Sequence, residues 1–329
     1  MAVQAQEPNW ALVGLWSRVE GFTVEDAERA VRERALVRSP LLRGTQHLTT
    51  ADDYRWLRPT VHPVLERLVR SPYYAEHTAG LTPDDLAAAA LTVLGAEPVP
   101  RRQVAAALVE RFPGRRGAVL AAAVECHVPV VHDPATSAWG SWWSRRSIGV
   151  AHAPQWIGRP MTAPDLPHLV RRYLAAFGPA GVMDLQAWSG LTRLAGVVDA
   201  MRSELRVLRG PDGTELLDLP DLPGGGLADE DAPAPVRFVA AFDNAVLGHR
   251  DRTRILPEDV RRAVMPGYSM VHATVLVGGF VAATWELADG DVVVHALRPL
   301  TRTERGEVLE EGHRALALVG SAGGDVVLR

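Results

Sequence analysis

Val37-Arg38-Ser39-Pro40-Leu41-Leu42-Arg43-Gly44-Thr45-Gln46-His47-Leu48 reads as short strands bent at Gly44, where a glycine reaches backbone angles closed to other residues. Thr49-Thr50-Ala51-Asp52-Asp53 follows with the composition of a helix start, for a helix carrying Tyr54, Trp56 and Leu57. Ahead of the bend, residues 9–37 read as helices. Asn9 is the cap expected for the first, and Thr23 with Asp26 three residues on forms a capping-box pattern for the second. Helix, helix, short strands, helix is compatible with a winged-helix module.

The theme recurs. Thr82-Pro83-Asp84-Asp85 opens a helix with proline at its first position. A second helix begins at Pro100-Arg101-Arg102 and ends near Phe112-Pro113-Gly114, and an alanine-rich one follows Gly117 to about Ala123. Val128 to Trp156, with Trp139, Trp142, Trp143 and Arg145-Arg146, suits a β-hairpin wing, its tryptophans serving as core. In a third block, Leu169 to Ala180 is a helix ended by Gly178-Pro179. Asp184 to Leu191 and Leu194 to Leu205 supply two more helices in helix-turn-helix rhythm, and Arg206 starts a strand.

From Gly210 to Pro235 seven acids and no arginine lie among prolines and glycines, the pattern of a loop or linker. The tail then alternates strand-like runs with glycine turns: Val275 to Val281, Val292 to Val294, and Ala315 to Val319.

A length of 329 residues implies more than one domain, and 47% hydrophobic residues supply cores. No apolar run reaches the ~20 residues of a membrane helix, and no signal-peptide pattern is visible. Cys126 is the single cysteine, which excludes an intrachain disulfide and gives a cytoplasmic location as the default. All 35 basic residues are arginine; residues 1–160 hold 18 against 16 acids, residues 161–329 hold 17 against 23. A net charge of −4 argues against strong non-specific nucleic-acid binding and leaves open a local arginine-lined face.

The first residues, Met1-Ala2-Val3-Gln4-Ala5-Gln6-Glu7-Pro8, place two glutamines two apart. In extended backbone such side chains face one way, and Pro8 biases Glu7 away from helix. Two uncharged amides offer donors and acceptors for a water or a polar ligand; a frayed polar terminus is the plainer reading.

Taken together, Gln4-Ala5-Gln6, Arg43-Gly44-Thr45-Gln46-His47-Leu48, Arg171-Arg172-Tyr173-Leu174 with Phe177-Gly178-Pro179, Trp188-Ser189-Gly190-Leu191, and Phe242-Asp243 ahead of His249-Arg250-Asp251-Arg252 resemble the AlkZ-like winged-helix DNA glycosylases. The five motifs occur in family order along nearly the whole chain. Where family members have a helix before the Gln-x-Gln motif, three residues precede Gln4 in this sequence. The resemblance implies an α+β fold of three tandem winged-helix modules (1–80, 81–160 and 161–212), a linker over 213–235, and a C-terminal small β-barrel or β-sheet domain over 236–329, together forming a concave DNA-binding body. It implies Gln4 and Gln6 in the active site, double-stranded DNA with bulky alkylated purines as substrate, and a nucleoid-associated monomer without cofactor or metal.

The chemistry suits glutamine. An N7- or N3-alkylated purine is cationic and leaves without a strong acid, while the sugar becomes oxocarbenium-like. What remains is to position a water and align dipoles. Without lysine no lysine Schiff base forms. Glu7 is the rival base; by alternation it points away from the glutamines. For DNA contact the candidates are Arg43, Thr45, His47, His249, Arg250 and Arg252. His47 alternatively serves structurally, and the arginines alternatively pair with Asp243 and Asp251. Cys126, His127 and His132 lack the paired spacing of a metal site. A non-catalytic DNA-binding protein, either transcription factor or lesion sensor, is the second function class, and a protein scaffold the third.

Overall fold

The computed structural model describes residues 2–133, 148–220, 232–320 and 323–329. Two compact units share the chain: Met1–Asn9, Ala27–Ala176 and Ser189–Met201 make the first, and Trp10–Asp26, Phe177–Trp188 and Arg202–Arg329 the second.

In the first unit, β1 (Val3–Gln4), β2 (Leu36–Pro40) and β3 (Gln46–Thr50) form an antiparallel sheet with β3 in the middle. The Gly44 bend falls where expected, between β2 and β3. Thr50 accepts from the Asp53 amide at 3.1 Å and starts the helix Ala51–Thr60. Thr82 and Asp85 close their capping box around the helix Pro83–Leu91. The helices Arg101–Arg111 and Gly117–His127 bury Val104, Leu108, Leu120 and Val124 in one core with Leu86. A second sheet joins β4 (Val99–Pro100), β5 (Val130–Asp133) and β6 (Gly149–His152), with β6 central. The expected wing hairpin is thus β5–β6; Trp139, Trp142, Trp143, Arg145 and Arg146 lie outside the described residues. Trp156 is not in a strand: it lies buried on the helix Ala153–Ile157, with the Arg34 guanidinium 5.3 Å above its ring.

One expected boundary shifts and another holds. The first helix begins at Pro8, so Asn9 lies inside it. Thr23 and Asp26 do exchange capping bonds at 3.1 and 3.2 Å ahead of the helix Val24–Arg32.

In the second unit β7 (Arg206–Arg209) and β8 (Glu215–Asp218) form a hairpin, and Ala180 bridges to Leu217 of β8. β8 therefore lies inside the stretch read as linker; its Leu217 is buried, an apolar anchor that the acids around it obscure. Five more strands, β9 (Arg237–Val239), β10 (Thr274–Val277), β11 (Phe280–Ala288), β12 (Asp291–Ala296) and β13 (Val326–Leu328), form one sheet in the order β13-β12-β11-β10-β9. It is open: among the described residues no closed barrel forms. Trp285 and Phe238 are buried on it, and the Trp285 indole N–H donates to the Val239 carbonyl at 3.0 Å. The run Ala315–Val319, expected as a strand, is the end of an 18-residue helix, Arg302–Val319. Its buried residues Val308, Glu311, Gly312, Ala315 and Leu316 recur with helical spacing. A Thr301–Glu304 capping box starts the helix and left-handed Gly320 ends it.

Candidate active site

Gln4 ends β1 and sits across from His47, which sits across from Ser39 of β2. The neighbouring cross-strand row is Val3, Leu48 and Arg38. One further ladder bond, from the Ala5 amide to the Gln46 carbonyl at 2.8 Å, carries the pairing past Gln4; Gln6 and Glu7 then turn away from the strand. The alternation that would point Glu7 away from the glutamines therefore stops short of it. Gln4 is buried and Gln6 exposed.

Both amides are fixed in orientation. Arg43 Nη2 donates to Gln4 Oε1 at 3.0 Å, and the Gln46 backbone N–H donates to Gln6 Oε1 at 3.3 Å. Guanidinium and peptide N–H groups only donate, so the facing atoms are oxygens. Each amide keeps its NH2 group and a second oxygen lone pair for a ligand.

Arg43 holds this position from a left-handed backbone, φ 55° and ψ 11°, followed by Gly44 at φ 76°. Non-glycine residues enter that region at a cost of about 1–2 kcal/mol. The bend is packed from behind. A Cβ on Gly44 would lie 2.9 Å from Leu68 Cδ2, and one on Gly190 would lie 3.0 Å from Arg43 Cα. Arg67 secures Gly190 by donating to its carbonyl at 2.6 Å. Two motifs about 150 positions apart in the sequence thus meet at one backbone contact.

Of the proposed DNA-contacting residues in this unit, Arg43 is engaged with Gln4, and Thr45 Oγ1 donates to the Leu42 carbonyl at 3.2 Å. His47 is 0% exposed, with Nδ1 2.9 Å from the Thr45 carbonyl and Nε2 buried without a partner. Its position is that of the structural alternative. Burial, with the nearby Arg43 charge, draws its pKa down to about 3 against the opposing Thr45 carbonyl. Unfolded His47 takes a proton below about pH 6.5, whereas the folded one stays neutral to about pH 3. Acidification across that window therefore favours the unfolded chain. Chemical denaturation at pH 7 and pH 5 should show His47→Gln losing about 2 kcal/mol less than the parent. Equal losses would mean that His47 is protonated while folded.

His249, Arg250 and Arg252 belong to the second unit. His249 Nε2 lies 2.9 Å from the Phe177 carbonyl and 2.8 Å from Arg254 Nη1; it can donate to the first or accept from the second, not both at once. Arg250 is exposed, and its backbone N–H donates to Asp184 Oδ1 at 2.9 Å. Arg252 Nη1 lies 3.4 Å from the Met265 sulfur. The alternative pairing with Asp243 and Asp251 is not what forms. Asp243 takes Arg18 Nη1 at 3.0 Å, and Asp251 takes the Thr253 amide and hydroxyl.

Among the described residues no group of three His, Cys, Asp or Glu side chains is arranged to hold a metal. His132 lies instead between Arg38 and Glu125, and Cys126 is buried. Sequence reading missed Arg38, which is buried and donates to the Ala5 carbonyl at 2.8 Å and the Gln6 carbonyl at 3.2 Å. Burial draws its guanidinium down to about 10, with Glu125 and then Glu7 opposing, so it stays charged at neutral pH. The signal that could have found it is an arginine next to apolar residues in the first strand of a hairpin.

A family model described as DNA glycosylase AlkZ-like matches residues 1–318. A curated interstrand DNA cross-link repair glycosylase of Streptomyces sahachiroi is 26% identical over 343 aligned positions, which span 92% of this chain and 83% of the relative. The solved structure of the Streptomyces sahachiroi DNA glycosylase AlkZ shares the fold at a TM-score of 0.80 and 21% identity, covering 100% of this chain and 91% of that one. The protein is an enzyme, a DNA glycosylase. Within that class, the chain belongs to the AlkZ-like family.

Proposed function

We propose that this glycosylase hydrolyses the N-glycosidic bond of bulky alkylated purine nucleotides in double-stranded DNA, with Gln4 and Gln6 in the catalytic roles. The observation that carries this reading is the locked orientation of the two amides, Gln4 by Arg43 and Gln6 by the Gln46 amide. Both side chains keep a donor pair and one lone pair for a water and for the charge that develops on the sugar. The alkylated base leaves with its own positive charge neutralised, so no strong acid is required. Arg43 acts here through Gln4. Exposed Arg250, with His249 and Arg252, is the phosphate-binding group. The relative's name adds interstrand cross-links to the substrates to be tested. The protein acts as a monomer in the cytoplasm, on the nucleoid; among the described residues no helix is long and apolar enough to cross a membrane.

The DNA-binding body is read as three winged-helix modules. Three sheets with one pairing order support this: β1-β3-β2, β4-β6-β5, and Ala180 with β8 and β7. In each, helical segments separate the first strand from the hairpin formed by the other two. The third module then runs past residue 212 to take in β8.

Incubation with duplex DNA carrying a single bulky 7-alkylguanine should release the free base and leave an abasic site that alkali cleaves. Strand breaks before alkali treatment are not expected. The chain has no lysine, and a borohydride-trapped protein–DNA adduct would overturn the water-mediated mechanism. Binding without base release would make the protein a lesion sensor.

A further inference from the structure

Gln6 lies beyond the last ladder bond of β1, so the sheet does not fix its backbone. Arg38 does. Its Nε and Nη2 reach the carbonyls of Ala5 and Gln6, the peptide groups on either side of the Gln6 Cα. Holding both planes leaves that residue's two backbone torsions little freedom.

The third nitrogen of Arg38 explains how the guanidinium is aimed. Nη1 donates to His132 Nδ1 at 2.9 Å. Arginine has no lone pair to offer, so Nδ1 must be the acceptor and the ring proton must sit on Nε2. Nε2 lies 3.1 Å from Glu125 Oε2, which accepts that proton's hydrogen bond. The other Glu125 oxygen takes Nε of Arg101, at the start of its helix. His132 and Glu125 are both buried. Burial alone would push the Glu125 carboxyl up; the hydrogen bonds from His132 and Arg101, with the Arg101 charge, draw it down. Donor and acceptor alternate without a break from Arg101 to the Gln6 carbonyl.

We propose that Arg38 is a positioning residue for Gln6, and that His132, held by Glu125 in its Nε2–H form, is the acceptor that aims Arg38 at the two carbonyls. The inference rests on the catalytic reading of Gln6, and its test separates the two. Lysine at position 38 keeps the charge but cannot span two carbonyls and a ring nitrogen. Arg38→Lys should therefore slow single-turnover release of a bulky 7-alkylguanine from a duplex oligonucleotide on the order of 10–10²-fold, with affinity for that duplex unchanged. His132→Gln, which carries both an acceptor and a donor, should keep most of the rate, and His132→Leu should lose it.

The deciding measurement is a double-mutant cycle. In a Gln6→Ala background Arg38→Lys should cost nothing further, because the group it positions is gone. If Gln6→Ala is slow and Arg38→Lys slows it again by its full factor, the positioning role is overturned while the role of Gln6 stands. If Gln6→Ala excises at the parent rate, the glutamine reading has failed and the positioning role with it. Rates are normalised to folded protein by circular dichroism. Should Arg38→Lys not fold, equal rates for His132→Gln and His132→Leu overturn the proposal.

Discussion

Gln4→Ala and Gln6→Ala should each slow single-turnover excision of a bulky 7-alkylguanine on the order of 10²–10³-fold, the usual loss when one positioned dipole is removed at a transition state. Stability should change far less. Gln6 is exposed, and its side-chain oxygen accepts a single 3.3 Å bond from the Gln46 amide. Gln4 is buried and gives up its bond from Arg43, a loss of about 1 kcal/mol. The double variant should be less than additively impaired, because the two amides act as a unit. Arg43→Ala should fall between the parent and Gln4→Ala: the Gln4 amide remains but is free to turn. Glu7→Gln is the control. β1 ends before Glu7, so strand geometry does not direct its carboxylate away from the glutamines. If Glu7→Gln abolishes excision while both alanine variants retain it, a carboxylate base does the chemistry and the glutamines are scaffolding.

The elements that sequence located best are those with a local chemical signature. Thr23 with Asp26, Thr82 with Asp85, and Thr50 with Asp53 each reach over one turn, so spacing alone reveals the bond. The Gly44 bend was legible for the same reason. Ala315–Val319 was not: five residues of an apolar face look alike in a strand and in a buried helix end. The Thr301–Glu304 box upstream was the arbiter. β8 was hidden by the acidic residues and glycines around it.

The candidate site divides in the same way. The glutamines stood out because two amides flank one small residue. Their supports did not, since Arg38, His132 and Glu125 are distant in sequence and converge only through β2, β5 and one helix. His47 carried a functional residue type and a structural position, and only burial separates the two. Arg43 reads as a cation for DNA, yet its guanidinium donates to a neighbouring amide. Charge type was readable, but the direction in which the side chain points was not.

Gly190→Ala should impair the protein twice, in stability and in excision. Gly190 has φ 79°, where an added Cβ costs about 1–2 kcal/mol whatever surrounds it. That Cβ would also lie 3.0 Å from Arg43 Cα, 3.2 Å from Arg43 N and 3.3 Å from Val64 Cγ1. The first two are backbone atoms of a bend already packed on Leu68, so no flexible side chain can swing aside. The 2.6 Å bond from Arg67 to the Gly190 carbonyl resists retreat on the other side. Relief must come from moving Arg43, and with it the guanidinium that orients Gln4. Relief needs a few tenths of an ångström; since a displacement of about 1 Å at such a support can cost 10²-fold in rate, the loss here should be several-fold. Gly196→Ala is the matched control in the same segment: it lies in the helix Ala195–Ala200, and an added Cβ meets nothing within 4 Å. Alanine there should raise stability by roughly 0.4–1 kcal/mol and leave excision alone. Thermal melts and single-turnover rates on the two variants separate the effects. If Gly190→Ala melts lower yet excises at the parent rate per folded molecule, the contact between the two motifs serves only the fold, and Arg43 has no part in setting Gln4.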